Sequence, residues 1–174
     1  KLFEKISEDM EKKLNRRIDK HLLNTSGILN FSDYQYNMVR SGIGLYGFGN
    51  DYNYKSNLKP VVSLISTISQ IHEIKEGESV GYNRGFIADK NTIVGIVPIG
   101  HADGISRALG NRKGKLLVNN IPCDIIGNVC MDMLMIDISS VDCNEGDEVI
   151  IFDEEKQTAE DFSKYSDTIS YEIL

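Results

Sequence analysis

From residue 61 onward the chain is a succession of short β-branched runs, each ended by a turn signal within roughly ten residues. Residues 61–74 contain seven Val, Ile or Thr among fourteen. Glu76-Gly77 then marks a turn, Val80 to Ala88 a strand, Asp89 to Thr92 a turn and Ile93 to Ile99 a buried strand. Leu116 to Val118 and Ile121 to Ile126 flank Asn119-Asn120, a pair that tolerates left-handed backbone and so predicts a hairpin. Asn128 to Ile138 reads as one long strand, and Glu148 to Phe152 as another after Glu145-Gly146-Asp147. Thr158 is placed to cap a short helix, with Asp161 three residues on as its capping-box partner. Six or more strands at this spacing predict an all-β barrel or sandwich.

The first 48 residues have a different rhythm. Leu2, Ile6, Met10 and Leu14 recur every four residues, which lines them along one face of a helix. His21 to Leu23 is a short apolar piece, Asn24 to Gly27 a loop, and Tyr36 to Arg40 a second strand ending at Ser41-Gly42. Helix, strand, loop and strand form the pattern of an α/β fold. Phe48 to Lys59 is polar and aromatic and reads as a linker. The expected fold class is therefore mainly β, with an α/β piece over 1–48 ahead of a barrel-like domain over 49–174.

Charge excludes some partners. The 174 residues carry a net charge of −7, and residues 142–174 hold eleven acidic groups against two basic ones. Such a surface repels phosphate backbones, so no nucleic-acid partner is expected. The acidic end reads as a solvated face. No apolar run approaches the ~20 residues that span a bilayer, so no membrane partner is expected. Residues 1–15 are charged where a signal peptide would be apolar, and a cytoplasmic location follows. The three cysteines, Cys123, Cys130 and Cys143, are odd in number and lack CxxC spacing. They fit reduced thiols better than a disulfide framework or a zinc site, and no metal is expected.

Single motifs are weak. Gly42-Ile43-Gly44-Leu45-Tyr46-Gly47 fits G-x-G-x-x-G, but Gly49, Asn50 and Pro60 follow where a dinucleotide fold needs a helix. Gly100-His101-Ala102-Asp103-Gly104 follows a buried strand and reads first as an Asp-Gly turn with an exposed His. The methionines of residues 129–135 alternate as core residues do. Nothing in the composition singles out Tyr82 among eight tyrosines.

The set of motifs and their order are more specific. HLLNTSG (21–27), MVRSGIGLYG (38–47), GESVGY (77–82), PIGHADG (98–104), GNVCMD (127–132), EGDEV (145–149) and TISYE (168–172) run nearly the whole chain. Together they resemble the C-terminal half of the alanine racemase family, which uses pyridoxal 5'-phosphate (PLP). The family has an eight-stranded α/β barrel followed by a β domain. The resemblance thus implies that residues 1–48 are the last helix and strands of an incomplete (β/α)8 barrel. The strands that carry the PLP lysine have no counterpart here, so these residues alone are expected to be inactive.

The resemblance assigns roles residue by residue. Thr25, with Ser26 beside it, the N–H groups of Gly42 and Ile43, and the phenol of Tyr171 would hold the cofactor phosphate, in the loops where such barrels bind phosphate. Arg40 would face the pyridine nitrogen and, never giving up its proton, leave that nitrogen neutral. His21 would support Arg40. Tyr82 would be one of two acid/base groups on opposite faces of Cα, the lysine being the other. Met131 and Asp132 would meet the substrate carboxylate. In the family, Tyr82 and Met131 serve the neighbouring subunit, which implies a head-to-tail homodimer. His101 stands at the mouth of the site where the family usually has Tyr, a shorter donor that titrates near pH 6.5 when unperturbed. The implied reaction interconverts L- and D-alanine and supplies D-alanine for peptidoglycan. A serine or broad-specificity racemase, or a non-catalytic β dimerisation or binding module, are the alternatives.

Overall fold

The computed structural model describes residues 1–49 and 58–174. Most of the expected linker therefore lies outside the described residues. The chain divides into two compact units, Lys1–Lys59 and Pro60–Leu174.

The first unit opens with helix α1 (Leu2–Leu14), closed by Asn15 in the left-handed conformation. Its periodic residues Leu2, Ile6, Met10 and Leu14 are exposed, while Ser7 is buried. Asn24 does not stay in a loop as expected. Its side-chain oxygen accepts from Gly27 N at 3.0 Å and starts a six-residue helix, α2 (Thr25–Asn30). The strand expected at Tyr36 to Arg40 shrinks to one parallel bridge between His21 and Met38. Tyr36, at φ 52°, turns the chain just before it.

The second unit is built on strands β1 (Leu64–Thr67), β2 (Gln70–Ile74), β3 (Ser79–Val80), β4 (Phe86–Ile87), β5 (Thr92–Val97), β6 (Lys115–Val118), β7 (Ile121–Ile126), β8 (Leu134–Asp137) and β9 (Glu148–Phe152). Seven form one antiparallel sheet in the order β1-β9-β6-β7-β8-β5-β2, and β3 pairs with β4. The sheet cannot be flat. At about 4.8 Å per neighbour its outer strands would lie about 29 Å apart. Yet β1 and β2 are those outer strands, and only Ile68 and Ser69 separate them in sequence. Two residues bridge roughly 10 Å at most, so the sheet curls until its edges approach, as a barrel does. Ile68 and Ser69 make the junction, with Ile68 N donating to Asp147 O at 2.9 Å and Ser69 N to Ile96 O at 2.8 Å. The mainly β, barrel-like expectation holds.

Leu116, Ile125, Leu134, Ile136 and Ile151 fill the interior and are fully buried. The expected hairpin is β6–β7, turning on Asn119 (φ 49°) and Asn120 (φ 65°). Helix α3 (Ala159–Lys164) carries the capping box of Thr158 and Asp161, and α4 (Ser170–Ile173) follows. Two expectations fail. Residues 80–88 are not one strand, because a 3₁₀ turn at Tyr82–Arg84 interrupts them. Residues 128–133 are not strand either; only Leu134–Asp137 joins the ladder. Cys130 and Met131 instead bind their carbonyls to a loop, as described below.

All three cysteines are free thiols. Cys123 is 2% exposed on β7. Burial, then the neighbouring Cys143 and Asp137, pushes its thiol up to about 11. The unfolded chain ionises this thiol at a lower pH than the folded one, so stability is lost as pH rises from about 9 towards 11. By pH 10.5 the loss should reach about 2 kcal/mol. Urea unfolding at pH 8 and 10.5 checks this: Cys123→Ala should flatten the alkaline fall, and an unchanged slope would contradict it.

Candidate active site

In the first unit, two loops meet at Thr25. The Asn24 cap sets Thr25 at the first position of α2, where it is 6% exposed. Thr25 Oγ1 accepts from Gly42 N at 3.0 Å and from Gly44 N at 3.4 Å. The missing side chain of Gly44 makes this approach possible, since a Cβ there would lie 2.8 Å from Thr25 Cγ2. With its lone pairs engaged, the Thr25 hydroxyl has its proton left to donate. Ile43 is buried beside it, and Ser26 packs its carbonyl against Asn30 Nδ2 at 3.0 Å. No Asp or Glu occurs between Asp19 and Asp33, or between Asp33 and Asp51. The Gly42 N–H, expected to meet the phosphate directly, is instead spent on Thr25. What these loops offer a phosphate group is the Thr25 hydroxyl proton in surroundings without a carboxylate. Arg40 N donates to Leu23 O at 2.9 Å, and its guanidinium reaches Leu22 O at 3.5 Å. Among the described residues no hydrogen bond joins His21 to Arg40.

In the second unit, Tyr82, Met131 and Asp132 come together around an open pocket of about 410 Å³, with Gly81, Cys130, Met133 and Met135. Tyr82 is 69% and Met131 58% exposed. The segment 128–133 bulges away from the sheet because the loop after β5 takes its carbonyls. His101 N donates to Cys130 O and Ala102 N to Met131 O, each at 2.9 Å. Asp103 ties this loop down by accepting from Gly100 N at 2.9 Å. The N–H of Met131 has no partner among the described residues, so it is available to an acceptor such as a carboxylate. His101 is exposed in the 3₁₀ turn His101–Asp103, whose N–H groups hold the Met131 segment. The expected Asp-Gly turn is there, with Gly104 at φ 100°.

Tyr171 lies on α4, half exposed, and does not line this pocket. The sequence drew no attention to Asn128, whose amide holds the Tyr82 turn, or to Asn111 behind it. Among the described residues no cluster of three or more His, Cys, Asp or Glu could hold a metal ion. No helix among them is long and apolar enough to cross a membrane.

Comparison with known proteins agrees with this geometry. The family model for the alanine racemase C-terminal domain matches residues 61–174, and the one for the N-terminal domain matches residues 1–49. The alanine racemase of Helicobacter pylori (strain G27) is 37% identical over 179 residues, covering 95% of this chain and 47% of its own length. The chain thus spans about half the length of the curated relatives it matches. A solved alanine racemase of Clostridium difficile 630, in complex with cycloserine, superposes with a TM-score of 0.84 at 34% identity over 95% of this chain and 45% of that one. The alanine racemase of Bartonella henselae, with covalently bound pyridoxal phosphate, gives 0.80 at 29% identity over 98% and 48%. A curled β unit matched throughout by the C-terminal domain model, preceded by a match to the N-terminal domain model, leaves one assignment: the chain belongs to the alanine racemase family.

Proposed function

We propose that the protein carrying this chain is a PLP-dependent alanine racemase. Its β domain, 49–174, would follow a barrel whose end is residues 1–48. The observation that carries the proposal is the shared pocket of Tyr82 and Met131 within the matched domain. When bound, PLP would supply the electron sink for the charge left on Cα when its proton is removed.

The chain's own residues do the rest. Thr25, Ser26, Ile43 and Tyr171 would hold the phosphate and so fix the cofactor's position, with Gly42 setting Thr25 in place through its N–H. Arg40 would face the pyridine nitrogen and leave it neutral, because a guanidinium does not hand over its proton. His21 would support Arg40; the backbone around it already meets the Arg40 segment, where Met38 N donates to Lys20 O at 3.3 Å. Met131 N–H, with Asp132 beside it, orients the substrate carboxylate. Tyr82 takes a proton from Cα of the L-enantiomer or returns one to it, and the barrel lysine serves the opposite face. To act as a base Tyr82 must first give up its phenol proton, which a cationic or hydrogen-bonding neighbour would favour.

The high exposure of Tyr82 and Met131 suits residues that complete a site in a neighbouring subunit, and the working form is a head-to-tail homodimer. The enzyme works in the cytoplasm, and its D-alanine supplies peptidoglycan. His101 sits on the turn that holds Met131, where its side chain, shorter than the family's usual Tyr, would alter the entrance. The test is an assay of the purified full-length protein with PLP. L-alanine should be converted to an equal mixture of enantiomers, and serine more slowly. Faster turnover of serine would make it a serine racemase, and no turnover of either would favour a binding module.

A further inference from the structure

The turn that carries Tyr82 is strained, and a single side chain braces it. Gly81 stands at φ 76°, Asn83 at 59° and Arg84 at 51°, so two successive residues with side chains are left-handed just after the tyrosine. Such backbone persists only where its surroundings over-determine it. Asn128 provides that restraint. Its Nδ2 donates to Tyr82 O at 2.8 Å, and Gly85 N donates to the same carbonyl at 3.2 Å. Its amide fills the hollow of the turn: a Cβ at Gly85 would lie 2.7 Å from Asn128 Nδ2.

Asn128 is itself held from behind. Its Oδ1 accepts from Asn111 Nδ2 at 3.2 Å, which fixes which end of the amide faces Tyr82. Asn111 (φ 58°) and Arg112 (φ 66°) form a second left-handed pair. Their N–H groups donate to Gly127 O at 2.9 Å and Ile125 O at 2.7 Å, anchoring the backbone on which Asn128 rides. Gly110 lets that carbonyl in, since a Cβ there would lie 2.7 Å from Gly127 O.

We propose that Asn128, backed by Asn111, is the positioning residue of Tyr82: it holds the tyrosine backbone so that the phenol keeps its place at the pocket. The proposal rests on the reading of Tyr82 as an acid/base group. Neither asparagine touches the reacting atoms; both act through the turn.

Asn128→Asp isolates the effect. The aspartate still accepts from Asn111 but turns a carboxylate oxygen, not a donor, towards Tyr82 O. In the full-length protein with PLP, kcat for L-alanine should fall about 10- to 100-fold, the cost of moving a catalytic group by an ångström or less. KM and the melting temperature should change little. Hydrogen–deuterium exchange should rise over residues 79–88, a readout independent of turnover. In a Tyr82→Phe background, Asn128→Asp should add less than about twofold, because the group it positions is already gone. Asn111→Ala, should Asn128→Asp fold poorly, is expected to give smaller changes in the same direction. Unchanged exchange over 79–88 would overturn the proposal. So would an Asn128→Asp loss that is undiminished in the Tyr82→Phe background. If Tyr82→Phe itself leaves kcat intact, Tyr82 is not the base; increased exchange at 79–88 would then show a brace without catalytic consequence, and the positioning role is overturned.

Discussion

Gly100→Ala should lower the stability of the protein by about 2–4 kcal/mol and loosen the pocket around Tyr82. A Cβ at Gly100 would lie 2.4 Å from Met131 O, 2.5 Å from Cys130 O and 2.6 Å from the Met131 carbonyl carbon. All three atoms are backbone, so no side-chain rotation relieves the overlap. Segment 130–131 has to move outward, and the bonds from His101 N and Ala102 N to its carbonyls stretch with it. Gly104 provides the control. It needs its left-handed φ of 100°, but nothing lies within 4 Å of a Cβ there. Gly104→Ala should therefore cost only conformational strain, about 1–2 kcal/mol. Thermal unfolding of the two variants decides the matter: Gly100→Ala should melt lower and lose substrate affinity as Met131 shifts. Equal melting temperatures would mean that the 100–102 loop does not clamp Met131.

Tyr82→Phe should slow racemisation in both directions by about 10²–10⁴, the usual contribution of one positioned acid/base group. The substitution removes one oxygen from an exposed ring at the rim of an open pocket. Packing is nearly untouched, and the melting temperature should stay within a few degrees. L- and D-alanine have equal free energy, so the equilibrium constant cannot move, and a block on one face slows net turnover both ways.

Much of this was legible where local chemistry decides the backbone. The β6–β7 hairpin follows from Asn119-Asn120, which accept the left-handed angles a two-residue turn imposes. The α3 start follows from Thr158 and Asp161. Where distant groups compete, the alternating pattern misled. Residues 128–133 look like strand, but the N–H groups of His101 and Ala102 draw them out of the ladder. Residues 80–88 look continuous, but three positive φ angles bend them around Tyr82. The apolar face of α1 was legible as a helix face and not as an exposed one.

The proposed roles of Tyr82, Met131 and Arg40 rest on the family resemblance, because these residues sit in ordinary sequence. Asn128 left no signal. Its partners lie 46 and 17 residues away, and no local period connects them. The G-x-G-x-x-G pattern is instructive in another way. Its glycines serve close approach, with Gly44 against Thr25, and not a dinucleotide helix.

The central claim, that Tyr82 moves the proton on one face of Cα, is tested most directly by solvent-deuterium incorporation into each enantiomer by the full-length Tyr82→Phe enzyme with PLP. Single-turnover exchange at Cα of L-alanine should fall by about 10²–10⁴, while exchange from D-alanine, served by the lysine on the other face, largely survives. Equal slowing from both enantiomers, or undiminished exchange from L-alanine, would contradict it.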